Sequence, residues 1–177
     1  MAQITNPVEV DQSGRKFQYI QNNFANIGLQ PNEERVVLDV KEKGEIFMYE
    51  MHGNSRHLGL SVDIWADSGA QISIMGGHLT FEKLLQKAWG LSAGEVAPVS
   101  GVSPDPHGEP NYRHPYLLRF KTTTEQDITG EDDERYSMAY TPNPYTAYGS
   151  RIRVTLVNHS NETGVVEDFV LTRKVWL

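Results

Sequence analysis

Residues 57–75, HLGLSVDIWADSGAQISIM, alternate apolar and polar side chains with a period of two. Leu58, Leu60, Val62 and Ile64 fall on one side, and Ser61, Asp63 and Trp65 on the other. A helix cannot gather those four apolar residues onto one stripe, whereas a strand with one buried face does so automatically. The neighbouring runs obey the same rule. In ERVVLDV, Val36, Leu38 and Val40 share a face. In EIFMYEM, Ile46 and Met48 lie on one side, and Phe47, Tyr49 and Met51 on the other. KEKG, HGNSR and DSG supply turn chemistry between them. Further strands are expected in FQYI, YLLRF, RYSMAY, SRIRVTLVN and GVVEDFVLTRKVWL. NNFANIGLQPNEE reads as a loop with room for one helical turn, and KTTTEQDITGEDDE as a polar excursion.

The period changes once. In HLTFEKLLQKAWG, Phe81, Leu84, Leu85 and Ala88 recur at helical spacing, with Thr80 as N-cap and Gly90 as C-terminal stop. This predicts one inserted helix at about 80–89. Residues 90–115 follow as a long Pro/Gly-rich insertion. About eight or nine strands that do not alternate with helices exclude a parallel α/β sheet and predict an all-β, antiparallel two-sheet sandwich. An eight-stranded jelly roll accommodates a helix near its middle; an immunoglobulin-like sandwich is the nearer competitor. Residues 1–16 are polar with isolated Ile4, Val8 and Val10, and read as a flexible arm before a single domain over 17–177.

The 177 residues contain no cysteine, which removes disulfides, thiolate nucleophiles and Cys-ligated metals. Twenty-three acidic against 16 basic residues leave a net charge of −7 with no basic stripe, so direct nucleic-acid binding is not expected. No basic-then-apolar leader and no membrane-length apolar run is present, which predicts a soluble chain made in a cytoplasm.

Chemical motifs are sparse. There is no phosphate loop, no G-x-S-x-G elbow and no H-x-H or H-E-x-x-H spacing. Asp105, His107, Glu109 and His114, in DPHGEPNYRH, have ligand chemistry for a metal but no known ligand spacing, and serve equally as solvated loop residues. No catalytic set and no cofactor is expected. Trp65 and Trp89 are candidate sugar platforms, with core or interface roles as the alternative. Tyr136, Tyr140, Tyr145 and Tyr148, with Pro142 and Pro144, form a strip suited to an interface. Adjacent sequons at Asn158 and Asn161 read as turn residues.

The terminal strand carries apolar residues on both faces. Val165, Phe169, Leu171 and Val175 share one, and Val166, Val170 and Trp176 the other. Such a strand calls for cover beyond its own core, so Val170, Val175, Trp176 and Leu177 join Tyr140, Tyr145 and Tyr148 as expected interface residues. Removing 172–177 is then expected to impair assembly while leaving a folded monomer.

Size, the lack of Cys, the strand run from ERVVLDV to AQISIM with its helical insertion, and the closing SRIRVTLVN…DFVLTRKVW pair together resemble the small single jelly-roll major capsid proteins of tailless, icosahedral, membrane-containing DNA viruses. The resemblance implies a virion shell subunit that packs with its own copies and a sister capsid protein over an internal membrane, without catalytic residues. Two other readings stay open: a carbohydrate-binding sandwich of adhesin or fibre-head type, and a metal-dependent enzyme using the 105–114 loop.

Overall fold

The computed structural model describes residues 1–74, 77–83, 116–126, 132–140 and 146–177, with the backbone alone for 116–126 and 132–135. Two antiparallel sheets face one another. The first contains β1 (Ala2–Thr5), β2 (Glu9–Val10), β3 (Lys16–Leu29), β5 (Lys43–Gly53), β9 (Tyr116–Gln126), β10 (Asp132–Tyr140), β11 (Thr146–Tyr148) and β13 (Gly164–Trp176). Its order is β1-β3-β13-β5-β10-β9, with β2 on β3 and β11 on β5. The second contains β4 (Glu34–Val40), β6 (Leu58–Trp65), β7 (Gln71–Ser73), β8 (Leu79–Thr80) and β12 (Arg151–Asn158), ordered β4-β12-β6-β7, with β8 also on β6. The short β7 and β8 occupy one edge of β6 in succession, as a single interrupted strand. Counting that pair as one strand and setting β1, β2, β9 and β11 aside leaves two four-stranded sheets, β3-β13-β5-β10 and β4-β12-β6-β7/β8. In chain order these read 1-8-3-6 and 2-7-4-5, the winding of a jelly roll. An immunoglobulin-like order does not fit.

The core lies between the sheets. Phe24, Phe169, Tyr49 and Tyr140 meet in that series on the first sheet, with ring centroids 5.7 Å (Phe24–Phe169), 6.3 Å (Tyr49–Phe169) and 4.9 Å (Tyr49–Tyr140) apart, the last pair stacked. Leu38, Leu60, Val62, Val154 and Leu156 meet them from the second. A helical turn at 81–83 buries Phe81 against Tyr136, and Thr80 Oγ1 accepts the Lys83 amide as the expected N-cap. The remainder of the expected helix, and the 90–115 insertion, lie outside the described residues.

Several sequence expectations are corrected. FQYI is not a short strand followed by a loop. One strand runs from Lys16 to Leu29 because β13 pairs with it along nearly its whole length. Most of the polar excursion at 121–134 is likewise the far end of the β9–β10 hairpin. The arm at 1–16 is not free chain: β1 and β2 pair with β3, although all of their residues remain exposed.

Three extra residues reverse the expected faces. Phe47 is skipped between the Met48–Thr172 and Ile46–Arg173 pairs, so Ile46, Tyr49 and Met51 all point inward. Glu167 is skipped between the Val166–Gly53 and Asp168–His52 pairs, which brings Val166 onto the inner face with Phe169, Leu171 and Val175. Val37 is skipped between pairs to Val154 and Thr155; it packs on the core while Val36 is left outside.

β13 is therefore a central strand, flanked by β3 and β5, and six of its 13 residues are buried. Arg173 is among them at 2% exposure. It donates to Glu42 Oε1 at 2.6 Å and to Asn22 Oδ1, while the Tyr148 hydroxyl donates to the same Glu42 oxygen at 2.7 Å. Removing 172–177 would delete this arginine and the C-terminal part of β13, which pairs with Phe17–Gln21 of β3 on one side and Lys43–Met48 of β5 on the other, so a folded monomer is not the expected product.

Candidate functional site

The structure distributes the expected interface residues unequally. Tyr140 and Tyr148 are buried in the chain's own interior, because alternation along β10 and β11 points them inward. Tyr140 stacks on Tyr49 and bonds Thr146 Oγ1 at 2.9 Å. Burial, reinforced by the Glu42 charge, pushes the Tyr148 phenol far up and keeps it a hydrogen-bond donor. Val175 is also internal. These three offer no outer surface. Val170 and Trp176 lie half-buried on the outer face of the first sheet, and Leu177 is 66% exposed. Tyr145, Trp89 and the group Asp105, His107, Glu109 and His114 lie outside the described residues.

Trp176 already has cover from its own chain. Phe17 meets it edge-on at 5.7 Å, and Arg15 and Lys174 sit 4.1 Å and 4.0 Å from its ring centroid. Phe17, Tyr19 and Phe47 continue the cluster at 5.5 Å and 5.1 Å. Trp65 is similarly engaged: Arg151 and Arg153 approach its ring at 4.7 Å and 5.5 Å, and both bind Asp39. A sugar would have to displace guanidinium groups to stack on that side. Hydrogen bonds from Arg151 above all hold the Asp39 carboxyl down at about 2.

Among the described residues, most large exposed apolar side chains fall elsewhere. Ile4, Val8 and Val10 are 52%, 48% and 60% exposed along β1, β2 and the link between them. Among the described residues, β1 pairs only with β3, so its other edge carries unpaired backbone groups.

A second feature sits at one end of the second sheet. The register Glu34–Val157 on one side of β12, and Asn158–Leu58 with Gly59–Thr80 on the other, brings three distant segments together. Glu34 opens β4, His78 precedes β8, and His159 follows β12. His78 Nδ1 is 3.0 Å from His159 Nε2 and 3.6 Å from Glu34 Oε1. One ligand atom from each residue lies within 4.8 Å of the others. The His159 backbone N–H donates a hydrogen bond to His57 O at 3.0 Å. The preceding Asn158 is fully buried and reaches the carbonyl oxygens of Leu29, Gln30 and Glu162. That clamp is the structural role of the first sequon residue, whose amide is inaccessible. Burial, followed by the neighbouring His78 and Lys83, lowers the His159 pKa. Sequence spacing gave no sign of this cluster, because it is assembled by strand register across 125 residues.

No protein-family model matches the chain, and no curated protein sequence is significantly similar to it. Among the described residues, no helix is long and apolar enough to cross a membrane.

Proposed function

We propose that this chain is a structural subunit of a multi-copy assembly, a capsid shell component of the kind its sequence resembles. The observation that carries this reading is the open apolar edge formed by Ile4, Val8 and Val10 along β1 and β2. A monomer that works alone usually blunts such an edge with charge, proline or a covering loop; Pro7 and Glu9 do so beside Val8 and Val10, whereas β1 itself (Ala2–Thr5, with Ile4) carries neither charge nor proline. Here the edge presents both unpaired strand groups and apolar side chains, the combination used in strand addition between subunits. The jelly-roll strand order agrees with the resemblance, though a fold hosts many functions and counts only as context. On this reading the partners are further copies of the chain and a sister shell protein, the location is the virion beside an internal membrane, and no catalytic role or nucleic-acid contact is involved.

The interface is assigned to the first ten residues rather than to the β13 core positions. The test compares the full chain with a variant lacking residues 1–10, using light scattering after size exclusion together with electron microscopy. Multimers, sheets or shells from the full chain and monomers from the variant are expected. A full chain that stays monomeric at high concentration, or a variant that assembles equally well, would overturn the reading.

A further inference from the structure

We propose that Glu34, His78 and His159 form a binding site for a single divalent transition-metal ion of the zinc class. Two imidazoles are borderline donors, and with one carboxylate they suit zinc, cobalt or nickel and fit poorly to magnesium or calcium, which prefer all-oxygen shells. Spacing supports the same class. Zinc bonds of about 2.0–2.1 Å in a tetrahedron put neighbouring donor atoms roughly 3.3–3.4 Å apart. The His78–His159 and His78–Glu34 separations, 3.0 Å and 3.6 Å, straddle that value. Without an ion the arrangement is poorly satisfied: the two ring nitrogens can share one proton, and 3.6 Å is too long for a good hydrogen bond to the carboxylate. An ion placed among them accepts a lone pair from each group at once.

Strand pairing and hydrogen bonds hold the segments to which the ligands attach. The Asn158 clamp and the bond to His57 O fix His159, the Glu34–Val157 pairing fixes β4, and Lys83 Nζ reaches His78 O at 3.4 Å while Thr80 pairs with Gly59. Lys83 is the nearby cation that opposes metal binding. Glu34 and His159 are exposed and His78 half-buried, so solvent can reach the site and water can complete the shell. The ion would tie β4, the β8 edge and the β12–β13 turn to one another. Its consequence is to fasten together the strands at this end of the second sheet, independent of whether the chain assembles.

The test uses the untagged full chain, stripped with chelator and titrated with zinc chloride by calorimetry at neutral pH. One ion per chain with micromolar or tighter affinity is expected. The melting temperature should rise by roughly 5–10 °C at a hundredfold excess over Kd. Cobalt(II) should give the visible absorption of a four-coordinate ion. His159→Ala and His78→Ala should each weaken binding at least tenfold, as should Glu34→Gln, which changes one exposed carboxylate to an amide and leaves the fold intact. His52→Ala and the His107→Ala/His114→Ala pair should bind like the parent. Absence of saturable binding by the parent chain overturns the proposal. So does unchanged affinity in Glu34→Gln together with either histidine variant, or loss of binding in the His107/His114 pair instead.

Discussion

Arg173→Met is the sharpest test of what holds the two sheets in place. The methionine keeps most of the apolar stem but removes the guanidinium that joins Glu42, Asn22 and, through Glu42, Tyr148. Removing one member of a buried ion pair costs about 3–5 kcal/mol, because the partner charge stays behind without compensation. The Glu42 side chain keeps 17% exposure against 2% for Arg173, so water recovers part of the loss and the lower end, about 3 kcal/mol, is expected. In a chain of this size that corresponds to a fall in melting temperature of roughly 6–12 °C. Urea denaturation followed by tryptophan fluorescence measures it directly. The decisive arm is Arg173→Met combined with Glu42→Gln. Glutamine still accepts the Tyr148 hydroxyl but leaves no stranded charge, so the double variant should recover about 1–2 kcal/mol relative to the sum of the single changes. A single Arg173→Met cost below about 1 kcal/mol, or strict additivity in the cycle, would refute the idea of a dry, charge-balanced junction.

Two further outcomes follow from geometry and charge. Gly59 faces β8 so closely that an added Cβ would lie 2.3 Å from Leu79 O and 2.6 Å from Thr80 Cα. Gly59→Ala must separate β6 from β8 and should cost about 2–3 kcal/mol in thermal denaturation, while Gly28→Ala, with open space around it, should change little. Asp39 is held at about 2 against an ordinary 3.8, so the unfolded chain binds its proton first on acidification. The Asp39 contribution is present above about pH 4 and is lost as pH falls towards 2. Asp39→Asn should therefore show a shallower drop in stability across that window than the parent, measured by urea midpoints at successive pH values; an identical slope would mean the Arg151 and Arg153 contacts do not persist in solution.

Strand positions were legible in the sequence wherever one face is buried and no residue is skipped. β6 and β12 are the clearest cases: Leu58 to Ile64 and Ile152 to Leu156 point inward as their alternation requires. Legibility failed at Phe47, Glu167 and Val37. One extra residue reverses parity, and nothing local distinguishes an extra apolar or acidic residue from a regular one. The apparent two-sidedness of β13 is partly this effect, since Val165 and Val166 exchange faces relative to a regular strand. The part of β3 beyond Ile20 was missed for a different reason. Asn22 and Asn23 are turn formers by propensity, yet Asn22 is fully buried and makes up part of the arginine junction.

The sites were less legible than the strands, because each is a property of pairing rather than of any segment. Tyr140 and Tyr148 look adhesive in a one-dimensional strip, but only the inward face of β10 and the Glu42 acceptor reveal that they are core. Glu34, His78 and His159 share no spacing that a metal motif would use; β12 lies between β4 and β6, and that order alone puts their side chains at one end. The same order makes the cluster sensitive to strand register. A slip of one residue along β12 would turn Glu34 to the opposite face from its neighbours and dissolve the site, even if the core survived. Metal affinity is thus a readout of register in the second sheet, in a way that strand content measured by circular dichroism is not.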